Sequence, residues 1–336
     1  MKFFALAVSA LTTAAAAIAG VAGLAHAQSS APAATGTFPN RPIRMVIPWP
    51  PGQATDLAGR VLAQKLSELL GQPVITDNRA GAGGMIGTDM VAKAPPDGYT
   101  ILAASSGPVT VNPLLQKAPY DVNRDLLAVA GIGLSPYVLV TNAQFPAANM
   151  KEFIALVKAN PGKYSFASSG TGATAHLIAE SFNLQAGLEV THVPYKGSAP
   201  ALTDVIGGQI AYSVETAAGT MPHVRAGKLK AYGVSLARGS ALTPGVEPIA
   251  TAANLPGFDV GAWLGVMVPA GTPKLAVDRI AAAVETAMLA ADVKERMNSI
   301  GVEPAYRPTA EFTRYLKEQQ DRFADIIKRG NIKVEQ

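Results

Sequence analysis

Between Gln28 and the C-terminus the chain has three histidines, His176, His192 and His223, and it has no cysteine at all. A thiol nucleophile, a disulfide framework and a lipid-carrying cysteine are therefore excluded. No H-E-x-x-H or G-x-S-x-G motif and no cluster of carboxylates occurs, so metal-assisted and serine-based hydrolysis lack a signature. Ser168, His176 and Asp56 supply the residue types of a triad, but no spacing joins them, and a triad is defined by geometry. His176 reads as structural, and the chain as a non-enzyme that needs no cofactor or metal. Non-covalent recognition remains, and two loops have the composition for it.

The first is Ile43–Asp56, IRMVIPWPPGQATD. A short apolar strand is stopped by Pro48, Pro50 and Pro51, which cannot donate to a sheet. Gly52 lets the backbone turn, and from Thr55 the apolar period becomes helical, with Leu57, Val61, Leu62, Leu66 and Leu69 on one face. A helix opening at a strand's carboxyl end offers unpaired N–H groups and a positive dipole end, which hold an anion without a cationic side chain. The second loop, Ser168–His176, reads SSGTGATAH. Ser169, Thr171 and Thr174 add hydroxyls to the N–H groups of a helix start, and with no lysine present it is not a nucleotide P-loop.

Three weaker features accompany them. Arg79–Gly87, RAGAGGMIG, lacks the third glycine and the downstream acid of a dinucleotide fingerprint, and reads as a flexible connection near a cleft. In Tyr195-Lys196-Gly197-Ser198, Tyr195 is placed to meet a ligand, Lys196 reads as a surface residue and Ser198 as a helix cap. Glu215-Thr216 closes a strand, where the carboxylate has two open readings: a ligand amine or hydroxyl, or an interdomain salt bridge.

Positioning these loops requires alternating strands and helices, an α/β architecture. Strands are expected at 44–48, 74–76, 100–103, 138–141, 164–167, 190–193, 210–214, 231–234 and 264–268. Helices are expected at 56–70, 85–92, 150–160, 173–186, 199–206, 273–289, 291–300 and 309–328, with Thr272 and Thr309 as N-caps. Residues 1–27 read as a secretory signal: Lys2, an apolar run to Leu24, and Ala25-His26-Ala27 as the cleavage site. Residues 28–37 read as a disordered spacer. The formal charge of +4 is dispersed, with no basic cluster for nucleic acid.

Taken in order, several motifs resemble the Bug family, the periplasmic solute receptors of tripartite tricarboxylate transporters. They are Arg41-Pro42-Ile43 leading to Pro48-Trp49-Pro50-Pro51-Gly52 and Asp56, then Gly71-Gln72-Pro73-Val74, Asn78-Arg79-Ala80-Gly81-Ala82-Gly83-Gly84 and Pro96-Asp97-Gly98-Tyr99-Thr100. Ser169-Gly170-Thr171, His192-Val193-Pro194-Tyr195-Lys196-Gly197-Ser198 and Pro269-Ala270-Gly271-Thr272-Pro273 follow. The resemblance implies a two-lobed type II periplasmic-binding-protein fold, each lobe a mixed sheet flanked by helices, with two crossover strands as hinge near Val138–Thr141 and Gly261–Val266. Residues 38–139 and 263–336 would form lobe 1, and 140–262 lobe 2. It implies a monomeric protein exported to the periplasm that binds a small carboxylate or dicarboxylate and passes it to a two-component membrane permease.

Carried onto this sequence, the resemblance implies ligand contacts from Trp49, Gly52, Gln53, Ala54, Thr55 and Ser106 in lobe 1. Ser168, Ser169, Thr171, Thr174, Tyr195 and Thr216 would serve lobe 2. Two departures stand out: Gln53 where the family commonly has a second glycine, which implies less backbone freedom, and Glu215 after Val214 where an aromatic and an aspartate are common. A receptor feeding a signalling sensor, or a hydrolase of related acids, is the alternative the residues leave open.

Overall fold

The structure, a computed structural model, describes residues 38–333. The signal and spacer expected over 1–37 lie outside them. Eleven strands are described here: β1 (Ile43–Ile47), β2 (Val74–Asn78), β3 (Thr100–Ser105), β4 (Leu126–Ser135), β5 (Tyr137–Asn142), β6 (Ser165–Ser168), β7 (Thr191–Pro194), β8 (Tyr212–Thr216), β9 (Leu229–Val234), β10 (Ala262–Pro269) and β11 (Glu303–Arg307). They form two sheets, ordered β11-β4-β10-β3-β1-β2 and β7-β6-β8-β5-β9. Each is mixed. In the first, β1 runs parallel to β2 and β3 while β10 is antiparallel to β3 and β4; in the second, β6 is parallel to β7 and β8 while β5 is antiparallel to β8 and β9.

The chain passes from one sheet to the other at Pro136, the single residue between β4 and β5. It returns between β9 and β10, and Ala262 pairs with Ser135, so the two crossings lie side by side. The segment Val138–Thr141 lies wholly within the second sheet, just past the crossing.

Each lobe buries its own core. In the first, Ile43, Met45 and Ile47 of β1 pack with Leu62 and Leu66 of the helix Ala54–Leu70 and with Ile280 and Val284 of the helix Lys274–Leu289. In the second, Leu139, Phe153, Phe166, Phe182, Tyr212 and Val214 come together, with the rings of Phe153 and Tyr212 edge to face at 5.2 Å. The last helix, Thr309–Arg329, serves both: Phe312 and Leu316 pack beside Trp263 against the first sheet, while Phe323 and Ile326 join the second-lobe core.

β4 and β11 were not foreseen in the sequence. β4 is buried almost throughout, so its run LLAVAGIGLS has no polar alternation to mark it as a strand. Its glycines answer a tertiary demand, since a Cβ on Gly133 would stand 2.7 Å from Val302 Cγ1. β11 contains Pro304 and lies at the sheet's edge, the position where a strand tolerates proline.

Candidate functional site

A cleft of about 790 Å³ opens between the lobes, walled by the loops at the carboxyl ends of strands from both sheets and by the crossing segments. Gly52, Gln53, Ala54 and Thr55 face it from the first lobe, with Trp49 and Ser106 beside them; Ser169, Thr171, Thr174 and Thr216 face it from the second. Among the described residues, no Asp, Glu, Lys, Arg or His lines it. An anion in this cleft would be held by N–H and O–H dipoles rather than by a cation.

The first-lobe wall is fixed by Asp56. Its carboxylate is 1% exposed and accepts from the Gly52 N–H (2.8 Å), Asn78 Nδ2 (2.8 Å) and Arg60 Nε (2.9 Å). Burial raises the carboxyl pKa, but hydrogen bonds from Asn78, Gly52 and Arg60 outweigh it and leave the pKa below the usual carboxylate value. Asn78 also donates to the Trp49 carbonyl at 2.9 Å, and Trp49 Nε1 donates to Ser105 Oγ at 2.8 Å, so the Pro/Gly loop is tied at both ends. Gly52 has φ +90, where a side chain would be strained. Gln53 has φ −79 and ψ 159, a conformation open to any residue, so a side chain at this position carries no backbone strain. Its side chain makes no cap, which leaves the leading N–H groups of the helix Ala54–Leu70 open.

Two glycines with positive φ, Gly170 (+137) and Gly172 (+76), shape the second-lobe loop. It is braced from behind by two stacked imidazoles, His176 and His192, with centroids 3.8 Å apart and planes within 9°. His176 Nδ1 accepts the Gly172 N–H at 3.0 Å, which places its proton on Nε2, 3.6 Å from Glu180 Oε1. His192 Nε2 meets Ser168 Oγ at 2.7 Å. Burial, and then the neighbouring His176, holds the His192 pKa down at about 4. The helix Thr174–Ala186 begins at this loop, again without a side-chain cap.

Two residues expected at the ligand do not reach the wall. Ser168 is fully buried, its hydroxyl spent on His192 and Gly170, because it is still the last residue of β6. Tyr195 turns its hydroxyl to Asp204, away from the cleft. Lys196 is exposed, in line with its surface reading. Several wall residues were not among the expected ligand contacts: Ser135 and Tyr137 at the first crossing, Trp263 and Leu264 at the second, and Asn112, Gln116, Ile300 and Gly301 from elements distant in sequence.

The expected caps are also reassigned. Thr272 donates to the Pro269 carbonyl (2.7 Å) and Thr309 to the Val129 carbonyl (2.6 Å), while Pro273 and Pro308 stand at the two cap positions. Ser198 is the first helical residue after Gly197, and its hydroxyl donates to Glu215 Oε2 at 2.7 Å. Glu215 is 1% exposed and makes no interdomain salt bridge among the described residues; burial pushes its carboxyl pKa up, against the hydroxyls of Ser198 and Ser169 and the N–H groups of Thr216 and Ser169, which act to lower it.

Two lobes, each a mixed sheet, joined by paired crossings over a cleft that no charged side chain lines among the described residues, have the architecture of a solute-binding receptor. Residues 58–332 match the model of the tripartite tricarboxylate transporter family receptor, and the chain belongs to that family, a family of receptors rather than of enzymes. It is 37% identical to the protein BugT of Bordetella pertussis over 313 residues, 93% of this chain and 96% of that one. A structure of an R. palustris protein with adipate is similar at 30% identity and a TM-score of 0.75, covering 88% of this chain and 99% of that one. MatC of Rhodopseudomonas palustris with bound malate is similar at 31% identity and a TM-score of 0.71, covering 86% and 100%.

Proposed function

We propose that this chain is a periplasmic receptor that takes a small carboxylate or dicarboxylate into the interlobe cleft and delivers it to a two-component membrane permease of the tripartite tricarboxylate type. The observation that carries the reading is the cleft itself. Two uncapped helix starts face it from opposite lobes, hydroxyls flank them, and no formal charge among the described residues lines the wall. Such a wall exchanges an anion's water shell for oriented N–H and O–H donors, and both lobes are needed to complete it. Closure about the paired crossings would follow from the ligand's higher affinity for the closed form. Adipate and malate in the related structures support a carboxylate ligand. In this reading residues 1–27 are removed on export, the receptor acts as a monomer, and Gly52–Thr55 with Ser169, Thr171 and Thr174 hold the carboxylates.

A thermal-shift screen of the chain from Gln28 onward, against adipate, malate, aromatic acids and neutral sugars, tests this. An acid at about 100 times its dissociation constant adds about 2.7 kcal/mol of stability. A midpoint that moves with a sugar and with no acid would refute the reading. Thr171→Val removes one hydroxyl while keeping the shape, and should weaken the bound acid about fivefold, as expected for about 1 kcal/mol of hydrogen bond. Unchanged affinity by calorimetry removes Thr171 from the site.

A further inference from the structure

The glycine-rich segment Arg79–Gly87 takes no part in the carboxylate reading, yet one of its residues, Gly83, stands in the cleft wall. Its φ is +64, and a Cβ there would run into the side-chain amide of Asn112, another wall residue. The missing side chain lets Asn112 Nδ2 donate to the Gly83 carbonyl at 2.7 Å. A carbonyl only accepts, so this bond identifies the nitrogen and fixes which end of the amide is which. Oδ1 is the end left over. Gln53 and Gln116, the other amides of the wall, make no side-chain hydrogen bond among the described residues and can present either end.

Asn112 opens the short helix Asn112–Leu115, directly after the turn Gly107–Val111 that follows β3. A Cβ on Gly107 would stand 3.0 Å from Trp49 Cζ2 and 3.8 Å from the Gly83 carbonyl oxygen. The Trp49 ring, the Gly107 backbone and the Gly83–Asn112 pair therefore form one continuous stretch of the first-lobe wall. The N–H and O–H groups of that wall donate to a carboxylate, whereas Asn112 adds an oxygen that only accepts. A carboxylate cannot use such a group, since lone pairs would face lone pairs. A hydroxyl or an amide N–H on the carbon next to the carboxylate can. An ammonium is less suited, because no Asp or Glu lines the cleft among the described residues to balance its charge.

We propose that Asn112 is a specificity residue: with Nδ2 spent on Gly83, its Oδ1 accepts a hydrogen bond from a neutral donor beside the ligand's carboxylate. The cleft then prefers hydroxy acids to their unsubstituted and amino counterparts. This rests on the carboxylate-receptor reading. In a closed cleft emptied of water, a ligand without the donor leaves Oδ1 unpaired, and that penalty sets the preference more than the bond itself does.

The test is calorimetric titration of the chain from Gln28 onward with matched acids: succinate against each enantiomer of malate, adipate against 2-hydroxyadipate, and aspartate as the amino counterpart of malate. In the unaltered protein at least one hydroxy acid should bind about fivefold or more tighter than its plain partner, and aspartate more weakly than malate. Asn112→Ala should bring the members of each pair within about twofold. Asn112→Asp loses the donor to Gly83 but keeps an acceptor. Its charge weakens every acid, and the hydroxy acid should stay ahead of its partner. A tie that serves only to hold the Gly83 loop would instead weaken both members of a pair alike and leave their ratio unchanged. The proposal is overturned by equal affinities within both pairs in the unaltered protein, by a preference that survives in Asn112→Ala or vanishes in Asn112→Asp, or by aspartate ahead of malate. Binding of some other carboxylate with none of these acids overturns it too. Failure of every acid to bind overturns the carboxylate reading, and this inference falls with it.

Discussion

Replacing Asp56 by asparagine should loosen the first-lobe wall without emptying any core. The carboxylate satisfies three donors: the Gly52 N–H, Asn78 Nδ2 and Arg60 Nε. An amide of the same shape has one accepting oxygen, so its NH2 must face either Gly52 or the Asn78–Arg60 pair, donor against donor. A hydrogen bond to a charged group contributes about 1.5–3 kcal/mol, and an unpaired buried donor adds a penalty of about 1–3 kcal/mol. Arg60 is 46% exposed and can turn to water, so its share is small. The expected loss is therefore about 3 kcal/mol, a fall of about 6 °C for a chain of this length. Because Gly52 sits two residues before the uncapped helix start at Ala54, affinity for a bound acid should fall about tenfold as well. Urea denaturation with and without adipate measures both. A loss under about 0.5 kcal/mol with affinity unchanged would show that Asp56 does not hold the loop. The pKa adds a second check. A carboxyl held below its ordinary value stabilises the fold above that value, and the contribution fades as pH drops through the folded value, so the variant should lose this part of the wild-type acid sensitivity.

Two further outcomes follow from buried contacts. His192 is held at about 4, below the ordinary 6.5, so the unfolded chain takes up a proton first as the medium acidifies. The folded state is then fully favoured above about pH 6.5 and loses about 2 kcal/mol on the way down to about pH 4, after allowance for the ring's partial exposure; equal melting slopes for wild type and His192→Gln across that window would refute this. Gly265→Ala would place a methyl 2.3 Å from Phe312 Cζ and 2.8 Å from the Ala130 carbonyl, and should cost about 2 kcal/mol or more. Gly59→Ala meets the flexible Ile47 side chain, at 3.2 Å from Cδ1, and Ala103 Cβ at an ordinary 3.5 Å, and sits mid-helix where alanine is favoured, so it should cost far less; denaturation midpoints in the reverse order would show the packing argument wrong.

Local rules served well where the chain's own chemistry decides. The proline-stopped strand β1, the glycine turn at Gly52 and the helix that follows are local events, and they were legible in order. So was the Ser/Thr/Gly loop before Thr174. The failures share a cause. Thr272, Thr309 and Ser198 read as caps because short hydroxyl residues precede helices, yet each hydroxyl bonds a group distant in sequence or in another turn, and Pro273, Pro308 and Gly197 take the cap positions. Ser168 and Tyr195 lie in segments that border the cleft, but strand register sent one inward to His192 and Asp204 claimed the other. β4 was invisible because both its faces are buried. The wall residues near Ser135 and Trp263 depend on where the chain changes sheet, which no local pattern announces.

On the proposed carboxylate reading, the lack of charge among the described residues of the cleft wall bears on the conditions under which the protein can work. Capture by facing dipoles acts over a few ångströms, well inside the screening length of a salt solution, which is about 8 Å at physiological ionic strength. Ions in the medium therefore have little to shield, and there is no long-range field from the wall to hasten arrival. On that reading the receptor forgoes steering from charges in its wall, and in return its hold on an anion should stay nearly constant between dilute and briny surroundings.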